Sequence, residues 1–152
     1  MQSTMGTDSL TIAFTVDRTP AEVFAAITDP RAWWSGDFDG PADELGAAFT
    51  YRYQDMHRSV QRVSELVPGR RVAWHVEDSH LSFIEKHDEW TGTEITFDIT
   101  PRDGATEVRF THVGLVPAEE CYESCEPAWQ HYIASSLRGL LAGEPSVNGH
   151  SA

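Results

Sequence analysis

Residues 93–102, TEITFDITPR, and residues 105–114, ATEVRFTHVG, stand on either side of Asp103-Gly104. Both runs alternate apolar and polar side chains, the period of a half-buried strand. Asp-Gly between two such runs is the strongest short-range signal for a hairpin with a two-residue turn. That turn sets Phe97 opposite Phe110 and Ile99 opposite Val108, with Asp98 meeting Arg109 on the other face. Apolar meets apolar and acid meets base along the whole ladder, so the register is self-consistent.

Upstream, the same period recurs. Leu10 to Asp17 puts Ile12, Phe14 and Val16 on one face, and Gly46 to Tyr53 aligns Phe49, Tyr51 and Tyr53. Val60 to Val67 and Arg70 to Asp78 are two further strands around Pro68-Gly69, the second with Val72, Trp74 and Val76 together. A two-residue turn there faces Gln61 inward, opposite Val76, whereas a one-residue slip turns it out. Between the first two strands, Thr19-Pro20-Ala21-Glu22 fits a capping box with proline at the first helical position. The short helix it opens runs to about Thr28 and buries Val23, Phe24 and Ile27. Asp29-Pro30 starts a second short turn through Trp33-Trp34, ended by Gly36.

Downstream of Pro117 the apolar period lengthens. Ala128, Trp129, Tyr132, Ile133, Leu137, Leu140 and Leu141 form one stripe at helical spacing. Proline inside a helix costs about 3 kcal/mol, so Pro127 belongs in the first turn of a helix starting near Ser124 or Cys125. Residues 118–123 then form a separate or kinked turn, and Gly143 with Glu144-Pro145 stops the helix. About 18 residues at about 1.5 Å each give roughly 27 Å, enough to cross a sheet. The fold class is α+β: a curved antiparallel sheet wrapped around a long C-terminal helix, with two short helices after the first strand. This is the helix-grip arrangement, and it leaves a space between sheet and helix.

Composition sets the outer bounds. The 152 residues make one domain, expected over 9–142, between a disordered N-terminus (1–8) and a flexible tail (143–152). A formal charge of −13 argues against nucleic acid and anionic membrane surfaces as partners. No leader-like N-terminus and no long apolar run is present, and two cysteines suit a reducing compartment, so the expected location is cytoplasmic.

Pro20-Ala21-Glu22-Val23-Phe24, Asp29-Pro30 and Trp33-Trp34 resemble the N-terminal signature of the SRPBCC superfamily. That group includes the steroidogenic-acute-regulatory-related lipid-transfer (START) and birch-pollen-allergen-like domains. Glu89-Trp90-Thr91-Gly92-Thr93, residues 110–117 (FTHVGLVP), Trp129 and Ser136-Leu137-Arg138 narrow the likeness. They are similar to single-domain bacterial relatives of the heat-shock-protein-ninety ATPase activator C-terminal domain. The resemblance implies a cavity that holds apolar small molecules, in an enzyme, a carrier or a sensor.

No standard catalytic signature or cofactor motif is present, and no cofactor is expected. The reading is therefore binding of a small hydrophobic or aromatic ligand, as carrier or sensor. Two alternatives stand beside it: a cyclase- or hydrolase-like enzyme using His112, and a chaperone-associated interaction protein. Candidate ligand-binding residues are Trp34, Tyr51, Tyr53, Gln61, Trp74, His112 and Trp129. Tyr51 and Tyr53 pair apolar rings with polar tips, as ligand pockets require. His112 stays in phase with Val108 and Phe110, pointing at the helix or the cavity, either as a neutral donor or acceptor or a general base, or as a histidine hydrogen-bonded to the chain near the sheet's end. Trp33 and Trp34 are expected near one mouth of the cavity, one sealing the core and the other either a gate or simply a partly exposed aromatic.

No metal site is expected. The stretch from His75 to Trp90 is rich in His, Asp and Glu, but its spacing matches no tight ligand template and reads as a solvated strand end and loop. Leu81, Phe83 and Ile84 within it suggest a cavity lid or a homodimer contact. Cys121 and Cys125 read as small reduced packing residues.

Overall fold

The computed structural model describes residues 9–34, 36–116 and 122–142. Seven strands form one sheet: β1 (Leu10–Val16), β2 (Asp37–Asp39), β3 (Ala48–Tyr53), β4 (His57–Val67), β5 (Arg71–Leu81), β6 (Glu94–Arg102) and β7 (Ala105–Val113). Their order is β1-β7-β6-β5-β4-β3-β2, and every neighbouring pair is antiparallel. Helix α1 (Pro20–Ile27) and a single 3-10 turn (Pro30–Ala32) follow β1. The C-terminal helix begins as an α-helix over Tyr122–Trp129, widens to a π-helix over Gln130–Leu137 and closes as an α-helix over Arg138–Ala142. Among the described residues no helix is long and apolar enough to cross a membrane.

Local chemistry accounts for these elements. Thr19 caps α1 through its hydroxyl, which accepts from the Glu22 amide at 3.1 Å, and the Glu22 carboxylate accepts from the Thr19 amide at 3.0 Å. The β6–β7 hairpin has the expected register, with Phe97 opposite Phe110 and Ile99 opposite Val108. Asp103 and Gly104 both take positive φ, 36° and 84°, as a turn matched to strand twist demands. Asp98 and Arg109 do sit opposite each other, but their charges go elsewhere. Asp98 binds Arg71 at 2.5 Å, and Arg109 binds Glu107 at 3.4 Å. A long guanidinium chooses among several carboxylates that a strand register alone does not rank.

The β4–β5 hairpin differs from its simplest reading and arrives at the same place. Val67 pairs Arg71, so the turn is Pro68-Gly69-Arg70, with Gly69 at φ +72°. An irregularity between Val63 and Glu65 absorbs the extra residue, so that Gln61 faces Val76 after all. β4 also begins three residues before its expected start, and β2 is a short strand without an apolar signal.

The sheet's inner face and the helix share one core. Trp74, Phe97, Phe110, Ile95 and Val72 of the sheet are buried with Val23 and Ile27 of α1 and Ile133 and Leu137 of the C-terminal helix. Each such side chain contributes about 1.5–3 kcal/mol of burial. On the helix, Trp129, Ile133, Leu137 and Leu141 recur at every fourth residue and are all buried, whereas Ala128 and Leu140 of the expected stripe are exposed. The π segment is the reason: its wider turn keeps a four-residue repeat facing the sheet, where a regular α-helix would rotate it away. The helix is already formed at Tyr122, ahead of the expected Ser124 or Cys125, so Pro127 lies inside it rather than in its first turn. The expected turn over 118–123 falls mostly outside the described residues, as do the expected disordered N-terminus and tail.

The outer face carries the charge. Arg58–Asp78, Arg62–Glu77 and Arg71–Glu65 are ion pairs across strands at 2.9, 2.5 and 2.6 Å. Exposed pairs of this kind add little stability, but they keep the acidic surface locally balanced.

Candidate functional site

The 3-10 turn at Pro30 splits the two adjacent tryptophans. Trp33 is fully buried, its indole Nε1–H donating to the Ala26 carbonyl at 2.9 Å, while its own carbonyl accepts from Ser136 of the C-terminal helix at 2.8 Å. It is the core seal. Trp34 points the other way and stacks on Tyr51 with ring centroids 4.2 Å apart.

Trp34 is one wall of a cavity of about 290 Å³ between the first half of the C-terminal helix and the β2–β4 end of the sheet. The sheet supplies Tyr51, Tyr53 and His57, and the helix supplies Ser124, Cys125, Ala128, Trp129 and Tyr132. Trp90 closes one side, from the loop after β5. Met56 and Phe83, 42% and 38% exposed, form an apolar rim. Farther along the helix, Ile133, Leu137 and Leu141 pack the core solid. Of the expected lid segment, Leu81 and Ile84 are buried, and Phe83 alone reaches the cavity.

Five of the lining rings form a closed circuit. Tyr51 meets His57 edge-on at 5.0 Å, and His57 meets Trp90 at 4.4 Å. Trp90 lies parallel to Trp129 at 5.8 Å, Trp129 leans on Trp34 at 5.0 Å, and Trp34 stacks back on Tyr51. Among the described residues no Asp, Glu, Lys or Arg lines the space. Two titratable groups of the wall are shifted toward their neutral forms. Burial pushes the His57 imidazole down to about 4, and burial, with Tyr132 and Tyr53 nearby, raises the Tyr51 phenol.

Trp34, Tyr51, Tyr53 and Trp129, four of the residues singled out from sequence, meet in this wall. Gln61, Trp74 and His112 do not line it; all three are fully buried behind it. Both nitrogens of His112 bond to protein, Nε2 to Thr93 Oγ1 at 2.8 Å and Nδ1 to Trp129 Nε1 at 3.2 Å. Gln61 donates to Ser59 Oγ at 3.0 Å, but among the described residues its Oε1 has no partner, and neither do the indole N–H groups of Trp74 and Trp90.

Met56, His57, Trp90 and Tyr132 also line the wall and were not among the sequence candidates, and His57 is the most informative of them. It begins the inward face of β4, followed by Ser59 and Gln61, and this polar row hides the usual apolar alternation. The signal was across the turn. Tyr53 pairs His57 and Tyr51 pairs Ser59, so inward tyrosines on β3 force inward partners on β4.

Cys125 is disulfide-bonded rather than the reduced filler expected. The one other cysteine of the sequence, Cys121, precedes it by four positions and lies outside the described residues. At that spacing a second thiol is near enough in the chain to be oxidised with the first. Among the described residues no group of three or more His, Cys, Asp and Glu side chains is placed to hold a metal.

A seven-stranded antiparallel sheet gripping a C-terminal helix over an uncharged aromatic cavity defines a helix-grip domain of the SRPBCC type. The chain belongs to the Activator of Hsp90 ATPase homolog 1-like protein family, whose model matches residues 17–142. No curated protein matches the sequence. Among solved structures, the Aha1 dimer from Colwellia psychrerythraea is similar, with a TM-score of 0.70 and 23% identity, over 93% of this chain and 98% of that one. A protein from Mesorhizobium loti has a TM-score of 0.70 and 18% identity, over 88% of this chain and 96% of its own. CalU16 from Micromonospora echinospora has a TM-score of 0.65 and 18% identity, over 92% of this chain and 78% of its own. At these identities the likeness establishes the fold alone.

Proposed function

We propose that the domain binds a small, uncharged hydrophobic or aromatic molecule in the cavity between the sheet and the C-terminal helix, as a carrier or sensor. The observation that carries this reading is the cavity wall itself. About 290 Å³ is bordered by a circuit of five aromatic rings, each touching the next, with no formally charged side chain among the described lining residues. Rigid aromatic walls with very few polar atoms are what an apolar ligand needs, and they repel ions by denying them solvation. Binding is favoured over acid–base catalysis because His112, the residue first suspected of it, lies behind the wall with both nitrogens engaged.

Native mass spectrometry of freshly purified protein is expected to reveal a co-purified small molecule. Ala128 lines the cavity and is otherwise exposed, so Ala128→Phe fills the space without disturbing the core. That variant should lose the bound mass while its melting temperature stays near the parent's. Retention of the same molecule in Ala128→Phe would place it elsewhere on the protein.

The Colwellia relative is a dimer, and the apolar rim at Met56 and Phe83 gives this chain a surface that a second copy could cover. Light scattering coupled to size exclusion, on the parent and on a Met56→Glu, Phe83→Glu double variant, tests for that homodimer.

A further inference from the structure

The inward face of β4 begins His57, Ser59, Gln61, three polar residues in a row where a sheet normally places apolar ones. Gln61 Nε2–H donates to Ser59 Oγ at 3.0 Å, and Ser59 Oγ lies 3.3 Å from His57 Nε2. These two bonds have a direction. A hydroxyl has one proton to give. Ser59 Oγ already accepts from Gln61, and the acceptor that its own proton can reach is His57 Nε2. The alternative, with Ser59 accepting from both neighbours, would strand a hydroxyl proton in a residue with no solvent exposure, where nothing offsets its lost hydration. The row therefore runs from Gln61 to Ser59 to His57, and the imidazole proton sits on Nδ1.

His57 Nδ1 has no hydrogen-bond partner among the described residues, and His57 lines the cavity. Trp90, its edge-on neighbour in the wall, carries an indole N–H that is also unpartnered. The unmet groups of His57 and Trp90 can only donate, whereas the Tyr53 and Ser124 hydroxyls on the same wall can donate or accept. The group this side of the wall calls for is an acceptor.

We propose that the ligand is a flat, uncharged molecule bearing a carbonyl oxygen, and that His57 Nδ1–H donates to that oxygen. This deepens the binding reading above and rests on it. The parallel faces of Trp90 and Trp129, 12° from coplanar, and of Trp34 and Tyr51, 23° from coplanar, suit fused planar rings. A carboxylate or phosphate would also accept from His57, but no Lys or Arg among the described residues lines the cavity to offset its desolvation. An aromatic enclosure can also hold a quaternary ammonium. Here the N–H dipole of His57 would point its positive end at such a cation and oppose it.

Three probes of one shape separate the polar readout from the cavity: 9-fluorenone, a flat carbonyl acceptor; carbazole, a flat N–H donor; and fluorene, the bare hydrocarbon. Titration followed by tryptophan fluorescence should give fluorenone the highest affinity, about tenfold or more above fluorene, the worth of one well-made hydrogen bond. His57→Phe should erase that preference while fluorene binding persists. If this variant does not fold, infrared spectroscopy of fluorenone on the parent protein replaces it, the carbonyl stretch shifting to lower frequency when hydrogen-bonded. Preference for carbazole would reverse the row and overturn the proposal, as would preference for benzyltrimethylammonium. Equal affinity for all three flat probes, or an unshifted carbonyl stretch, would overturn the carbonyl readout and leave the cavity reading standing. Failure of every probe to bind, fluorene included, would overturn both.

Discussion

Trp129 Nε1–H donates to His112 Nδ1 at 3.2 Å, and this bond fixes what His112 is. With Nδ1 accepting, the ring proton is on Nε2, which donates to Thr93 Oγ1 at 2.8 Å, and Thr93 passes its own proton to the Trp90 carbonyl at 2.6 Å. One imidazole thereby ties the C-terminal helix to β7 and to the loop that holds Trp90 in the cavity wall. Burial, with His57 nearby, pushes its pKa down to about 3, so it stays neutral.

His112→Phe tests this bracing role. The substitution keeps the ring but leaves the Trp129 N–H buried without an acceptor, which costs about 1–3 kcal/mol. The unfolding free energy from urea titration should fall by that amount. Hydrocarbon probes should still bind, because His112 is not in the cavity wall. Complete loss of fluorene binding in a folded His112→Phe protein would contradict the bracing role.

Gly36 makes a different demand on the same wall. Its φ is +129°, and a Cβ there would sit 2.6 Å from Tyr51 Cε1 and 2.9 Å from the Arg52 carbonyl oxygen. The chain passes so close to Tyr51 because it must turn from Trp34 into β2 while Trp34 stacks on that same ring. Gly36→Ala should cost about 1–3 kcal/mol of backbone strain and push Tyr51 out of its stack. Thermal melting should report the loss of stability, and weakened binding of flat probes should report the displaced ring.

How much of this was legible follows from which signals are local. The Asp103-Gly104 hairpin, the capping box at Thr19 and the inward Tyr51 and Tyr53 are written in period-2 and turn chemistry, and each is found where that chemistry puts it. The irregularity that restores Gln61 to Val76 is not local, since it answers a three-residue turn by a shift several residues away. The π segment is equally hidden, because Trp129, Ile133, Leu137 and Leu141 are compatible with a drifting α-helix until the sheet is there to face. His57 was obscured for a simpler reason: a polar row on an inward face looks like a loop. It became readable only through its partners on β3.

That polar row also predicts the behaviour of Gln61. Its Oε1 is buried without a partner, an acceptor stripped of water and given nothing in return. Gln61→Met has nearly the same length and removes that orphan together with the bond to Ser59. The loss and the gain are each about 1 kcal/mol, so stability should stay within about 1 kcal/mol of the parent or rise. Ser59 still has one proton to give, and His57 Nε2 is still the acceptor in its reach, so the ring proton stays on Nδ1. The fluorenone preference and the denaturation midpoint should therefore both persist. A loss of several kcal/mol would show that the Gln61 amide is structural cement, and loss of the preference in a folded variant would show that Gln61, not the Ser59 proton, orients His57.

The two buried imidazoles give the fold an acid limit whose sign can be worked out. His57 titrates at about 4 and His112 at about 3 in the folded protein, both lowered from 6.5 chiefly by burial. Between 6.5 and those values the unfolded chain binds protons that the folded chain refuses, so stability rises with pH across this window. It is complete above about pH 6.5 and is lost as the medium is acidified, with a slope approaching about 1.4 kcal/mol per pH unit for each histidine. Glu77 and Glu107, held below the usual carboxylate range by hydrogen bonds from Arg62 and Arg102, act in the same direction but only near and below 4.5. Urea titrations between pH 6 and pH 5 therefore isolate the histidines. The parent should lose about twice as much stability per unit there as His57→Phe, which keeps only the His112 contribution. Equal slopes in the two proteins would mean that His57 reaches water and protonates normally, and with it would go the neutral, dry character of the cavity wall.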